Sequence, residues 1–355
     1  MAKQGRRGHE PFLEQVYQAP DDDAPRLVYA DWLQQRGDPL GELIALQIER
    51  VRAKARSGGR QRETELLDEH IRSWTVGLDA EDAWVKIGDS YGNRPDVEFR
   101  RGFPAVVRTK KINRRPVWGT VTHCNVPPHE DGCRLGALRA ITEATNEDII
   151  ALSKLRVPLA VEELVWGWPH DPKRAHTEAA GPTVDRKHET AFCAISVLPK
   201  LRRLELSAAI VGALPSPRTL DWIWSSPLMT TVEELMIPGW ELAAWLRAAT
   251  PTRLRRFELA APALNPYGWQ AGTRLIVERG DRAFASATAL IYRSSAASLR
   301  ELARVFGELD KGTLESARIA IPTKAEWDAT ATERAALARV LKGRGIAATI
   351  EKASR

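Results

Sequence analysis

Cysteine is scarce in this sequence, with three in 355 residues. An odd, small number of thiols in a long chain argues against a disulfide framework and fits a reducing compartment. No apolar run approaches the roughly 20 residues that a membrane span requires. The opening decapeptide MAKQGRRGHE carries charge with no apolar stretch behind it, so no signal peptide is expected. Neither sign of charge dominates: 52 Lys and Arg against 46 Asp and Glu leave a formal net charge of +6. That balance permits nucleic acid or an acidic partner without demanding either. Catalytic signatures are missing too, with no Gly-rich phosphate loop, no G-x-S-x-G elbow and no H-E-x-x-H. The expectation is a cytoplasmic protein that is not an enzyme and carries no cofactor.

What the chain does have is an apolar content of 43%, enough for a full core. Its most structured stretch is PDDDAPRLVYADWLQQRGDPLGELIALQ, residues 20–47. Asp21, Asp22 and Asp23 offer cap oxygens at a positive helix end, and Pro25 suits a first turn that needs no amide donor. Leu27, Val28, Ala30, Trp32 and Leu33 form an apolar face that Gly37 closes. Asp38 and Pro39 repeat the cap-and-proline device for the next helix, which carries Leu43, Ile44 and Ile48 at helical spacing. Leu66, Leu67, Ile71 and Trp74 mark a further helix, so residues 10–75 read as four helices.

From residue 161 a short pattern recurs: apolar, two charged residues, apolar, any residue, apolar. It reads Val161 to Trp166, Leu201 to Leu206, Val232 to Ile237 and Leu254 to Leu259, with looser copies at Leu314 to Ile319, Ala287 to Tyr292 and Phe103 to Arg108. Helical patterns separate the copies, and strands alternating with helices predict parallel pairing through right-handed crossovers. The charged pairs alternate in sign: Glu162 and Glu163, Arg202 and Arg203, Glu233 and Glu234, Arg255 and Arg256. If successive copies are neighbouring strands, each acidic pair meets a basic one. Residues 135–157 read as helix, from Leu135, Leu138 and Ile141 through a segment capped by Thr145 with Asp148 at its third position.

Two resemblances follow from these residues. Residues 10–50 resemble the repeat-companion domain of bacterial proteins that also carry leucine-rich-repeat-like segments, and Phe99-Arg-Arg-Gly-Phe103 resembles the junction where such proteins enter their repeats. The recurring strand pattern resembles the L-x-x-L-x-L strand of leucine-rich repeats. Together they imply an α/β chain, an N-terminal helical cap over residues 1–80 followed by an irregular leucine-rich-repeat-like solenoid over 81–355, with a parallel sheet and outer helices. They imply no catalytic residue. The chain departs from regular repeats, because the four clear copies begin 40, 31 and 22 positions apart. The usual asparagine is also absent; its sites hold Pro169, Ala209, Trp240 and Pro262.

The function expected is a noncatalytic scaffold or regulatory subunit that binds another protein. Candidate contacts are the loop tryptophans Trp168 and Trp269, together with Glu205, Met236 and Glu258 in the variable strand positions. The alternative is a nucleic-acid module using basic segments 52–62 and 108–115. The second holds Arg108, Lys110, Lys111, Arg114 and Arg115, with Trp118 nearby as a stacking ring. His123, Cys124, His129 and Cys133 are chemically suited to zinc, but they lack a C-x-x-C knuckle and adjacent His123 and Cys124 would splay apart on a strand, so no metal is expected.

Overall fold

The computed structural model describes residues 8–53, 60–78, 80–87, 90–133, 135–167, 184–207, 220–238, 242–249, 252–263, 270–281, 283–291 and 295–352. The protein is α/β. Two compact units make up the chain, Met1–Thr142 with Lys154–Val161, and Glu143–Ser153 with Glu162–Arg355. Among the described residues there are eleven helices, a two-stranded ribbon and an open, mostly parallel sheet of twelve strands ordered as in the chain.

In the first unit, α1 (Glu10–Gln18), α2 (Ala24–Gln34), α3 (Pro39–Arg52) and α4 (Arg60–Trp74) match the four expected helices. Gly37 takes φ 68°, and the Asp38 carboxylate accepts from Leu40 N at 3.0 Å with Pro39 in the first turn. At α2 two members of the aspartate run take different partners. Asp22 accepts from Ala24 N at 2.9 Å, while Asp23 pairs with Arg101 at 3.3 Å. The ribbon β1 (Asp82–Ile87) and β2 (Ser90–Pro95) precedes β3 (Val97–Arg100) and β4 (Phe103–Val107), which are antiparallel. Arg101 and Gly102 connect them with positive φ values of 53° and 80°, the conformation that a tight right-twisting hairpin needs.

This turn is where the two recognisable motifs meet. Arg101 also donates to Asp21 O at 2.9 Å, and Gly102 N donates to the buried Gln47 side chain at 2.7 Å. Phe103 joins Val16, Tyr29, Ala30, Leu33, Ile44 and Ile48 in one apolar cluster. Trp32 only flanks that cluster, partly buried; Tyr29 takes the centre at 3% exposure. Residues 140–144, expected to be helical, form strand β6 (Ala140–Ala144), whose Ala140 pairs with His123 in β5 (His123–Cys124). The β-branched Ile141 and Thr142 favour the pleat, and the three-residue spacing of Leu135, Leu138 and Ile141 imitates a helix.

The second unit holds α5 (Asn146–Lys154), capped reciprocally by Thr145 and Asp148 at 2.8 and 3.3 Å. Then come β7 (Glu163–Trp166), α6 (Arg186–Ala194), β8 (Arg203–Leu206), α7 (Asp221–Ser225), β9 (Glu234–Pro238), α8 (Leu242–Ala249) and β10 (Arg256–Ala263). Each clear sequence copy is thus one strand, and β7, β8, β9 and β10 are successive parallel neighbours. Two further strands, β11 (Gln270–Arg279) and β12 (Phe284–Ile291), run antiparallel to their predecessors, breaking the wholly parallel order expected. After α9 (Ser295–Gly307) the parallel order resumes with β13 (Ser316–Ile321), α10 (Lys324–Ala329), α11 (Ala331–Gly343) and β14 (Ala347–Lys352).

Alternation along these strands divides the sheet into two faces. Leu164, Leu204, Leu235, Phe257, Leu275, Ala287 and Ala317 are buried on one. Helices cover this apolar face: Trp166 of β7 stacks on Phe192 of α6 with ring centroids 5.4 Å apart. The other face carries the charges.

Candidate functional site

The polar face of the second unit is ordered into rows that cross the strands. Register places Glu163, Arg203, Glu234, Arg256 and Glu278 side by side on β7, β8, β9, β10 and β11. The alternation of sign expected from four copies therefore holds, and β11 adds a fifth member. Cross-strand opposite charges contribute about 0.2–1 kcal/mol each, and like charges there would oppose pairing, so this row favours a single register. Arg203 reaches Glu163 at 3.5 Å, and at the strand entrances Arg255 reaches Glu233 at 4.0 Å.

The next row runs Val165, Glu205, Met236, Glu258 and Ile276. Three of the expected contact residues, Glu205, Met236 and Glu258, are thus immediate neighbours. They are also buried, at 5%, 5% and 6% exposure. A buried carboxylate needs compensation. Glu205 has Arg203 at 3.4 Å; Glu258 has Arg256 at 3.6 Å and is hydrogen-bonded by Arg274. Arg274 also lays its guanidinium 3.8 Å from the Met236 sulfur. The three guanidiniums form the accessible layer above Glu205, Met236 and Glu258.

Beside this layer lies a cavity of about 80 Å³ lined by Arg203, Glu234, Met236, Arg256, Glu258 and Arg274. Pockets for drug-sized ligands are about 300–1,000 Å³, so this one suits a single side-chain head group. Arg274 and Glu278 are the residues that sequence reasoning missed. Their signal is the alternation Thr273-Arg-Leu-Ile-Val-Glu278, apolar on one side and charged at both ends of the other.

The other candidates are scattered. Trp168 and Trp269 lie outside the described residues, as does most of the 167–186 segment. Within the basic cluster, Arg108 pairs with Glu81 at 3.1 Å and Arg114 with Glu130 at 3.0 Å. Arg115 packs against Gly77, and Lys110 and Lys111 are exposed. Trp118 is fully buried, with its indole N–H bonded to Asn113 at 3.1 Å, so it presents no ring for base stacking. In the first basic segment, Arg52 has Asp23 at 3.6 Å and Arg62 has Glu42 at 2.7 Å. The hydrogen bonds from Arg62 hold the Glu42 carboxyl below its usual range.

His123 is bonded to Thr122, Cys124 is buried in β5, and Cys133 sits in a loop against Glu130 O. Among the described residues no three or more His, Cys, Asp or Glu side chains are grouped to hold a metal ion. Burial raises the Cys133 and Cys193 thiols above their ordinary pKa, with Glu130 and Glu189 adding to the effect, the reverse of what a nucleophile needs. Among the described residues no helix is long and apolar enough to cross a membrane. The chain matches no protein-family model, no curated protein and no solved structure.

Proposed function

We propose that the chain is a noncatalytic protein-interaction module that binds another protein through the polar face of its second unit. The finer architecture in this reading is a helical cap followed by a degenerate leucine-rich-repeat-like array, as residues 10–50 and the strand copies imply by resemblance. The observation that carries it is the in-register charged row over Glu205, Met236 and Glu258. It lies on the face opposite the one where α6 packs, ordered by strand pairing and not by loops. The site offers charge, shape and a small cavity whose lining, among the described residues, includes no His, Cys, Ser or Thr. Recognition by complementary charge is what such a surface does. Nucleic acid has less support, since Arg108 and Arg114 already hold carboxylates and Trp118 is buried. Residence in the cytoplasm, where the three free thiols would stay reduced, belongs to the same reading.

Hydroxyl-radical footprinting of the chain with a protein captured from its own cells tests the proposal. Ile276 and Leu290, half-buried on the polar face, should oxidise more slowly in the complex, while Val340 on α11 should not change. Protection at Val340 or around residues 108–115 alone would contradict it.

A further inference from the structure

We infer that the polar face receives two cationic side chains of its protein partner, one at Glu234 and one at Glu278; the inference rests on the polar-face reading above. The pairing pattern points there. Arg203 takes Glu163 and Glu205, while Arg256 and Arg274 both take Glu258. Among the described residues this leaves Glu234 and Glu278 with no hydrogen bond or ion pair from their carboxylates, although each stands in register with Arg256, one on either side. Arg256 has turned along its own strand to Glu258 at 3.6 Å, so the central cation of the row serves neither neighbour. Five carboxylates against three guanidiniums leave this patch two negative charges, and the two unpaired acids are where they reside.

Geometry narrows the ligand. With Arg256 between them, Glu234 and Glu278 lie two strand spacings apart, about 10 Å, too far to share one ion. Two separate cations at that spacing satisfy both. The cavity of about 80 Å³ beside Glu234 accommodates a guanidinium or ammonium head. Ile276, half-buried in the next row, offers apolar surface for the methylene stem of an arginine or lysine. An anion would find all three guanidiniums already held by carboxylates and two acids repelling it. A basic protein segment is the occupant that this charge distribution fits.

The test is a titration of the full chain with a capped Gly-Arg-Pro-Pro-Arg-Gly peptide, whose arginines stand about 9 Å apart on one face of a polyproline II helix. The counterpart with glutamate in place of arginine is the control. The arginine peptide should bind and the glutamate peptide should not. Glu234→Gln combined with Glu278→Gln should weaken binding about fivefold to tenfold, with the variant still folded and its melting temperature lowered only slightly. Glu315→Gln, an exposed acid at the entrance to β13, should have no effect. Equal binding by the double variant, or no binding of the arginine peptide, overturns the inference. The two readings fail separately. A captured partner that shields Ile276 yet binds the double variant undiminished leaves the polar-face reading standing and removes this one. Absence of any shielding removes the former, and the peptide titration still decides the latter.

Discussion

Glu163 on β7 stands directly beside Arg203 on β8, and their side chains meet at 3.5 Å. This contact begins a row whose signs alternate over five strands, and it ties the order of the strands to the order of charged pairs in the sequence. Because every interior member has an opposite charge on both sides, neither a single reversal nor the exchange of one interior pair leaves the alternation intact. Swapping the charges of Glu234 and Arg256 would set like beside like at Arg203 and at Glu278.

Reversal of the central member is therefore the sharpest stability test of the row. Arg256→Glu places a carboxylate between Glu234 and Glu278 and beside Glu258. It should cost about 2 kcal/mol, against about 1 kcal/mol for Arg256→Gln, as measured by urea unfolding. High salt should narrow the gap. Equal midpoints for the two variants would show that the row does not act through charge.

Arg274→Met removes the guanidinium that bonds the buried Glu258. Arg256 stays at 3.6 Å but the hydrogen bond to the buried carboxylate is gone, which predicts a loss of about 1–3 kcal/mol. Adding Glu258→Met to that variant should restore much of the loss, since an apolar pair beside Met236 needs no compensation. A double variant less stable than Arg274→Met alone would contradict this account of the buried row.

The hairpin that joins the two N-terminal motifs allows a third test. Gly102 has φ 80°, and a methyl group there would run into the backbone and side chain of Ile44. Gly102→Ala should cost about 3 kcal/mol or more. Gly136→Ala has open space around its Cβ and should be nearly silent in the same thermal melt. Similar melting temperatures for both would refute the close approach of this turn to α3.

Much of this was legible because it is local. Asp38 and Pro39 cap α3 as their order implies, the four N-terminal helices keep their expected places, and each six-residue copy is a strand. Even the register of the charged pairs could be anticipated, since identical offsets in successive copies align when neighbours are parallel. What escaped depends on distant partners. β11 begins seven positions after β10 ends and pairs with it antiparallel, an arrangement that carries no periodic signal, and Arg274 and Glu278 were hidden with it. Burial of Glu205 and Glu258 depends on guanidiniums from β8, β10 and β11 folding over them. Trp118 has basic neighbours in sequence yet belongs to the core, and Asp23 leaves its cap to meet Arg101 from a turn almost eighty residues away. The loop tryptophans Trp168 and Trp269 fall outside the described residues, and the polar face supplies the candidate contacts without them.

The central claim, that the polar face of the second unit is a protein-binding surface, is tested most directly by site-specific photo-crosslinking in the cells that make the chain. One crosslinker replaces Ser316, exposed on β13 in the same row as Glu278 and Ser286; another replaces Ala297, exposed on α9. The account predicts a discrete protein adduct from position 316 and none from position 297. Adducts from position 297 alone, or nucleic acid in place of protein at position 316, would contradict it.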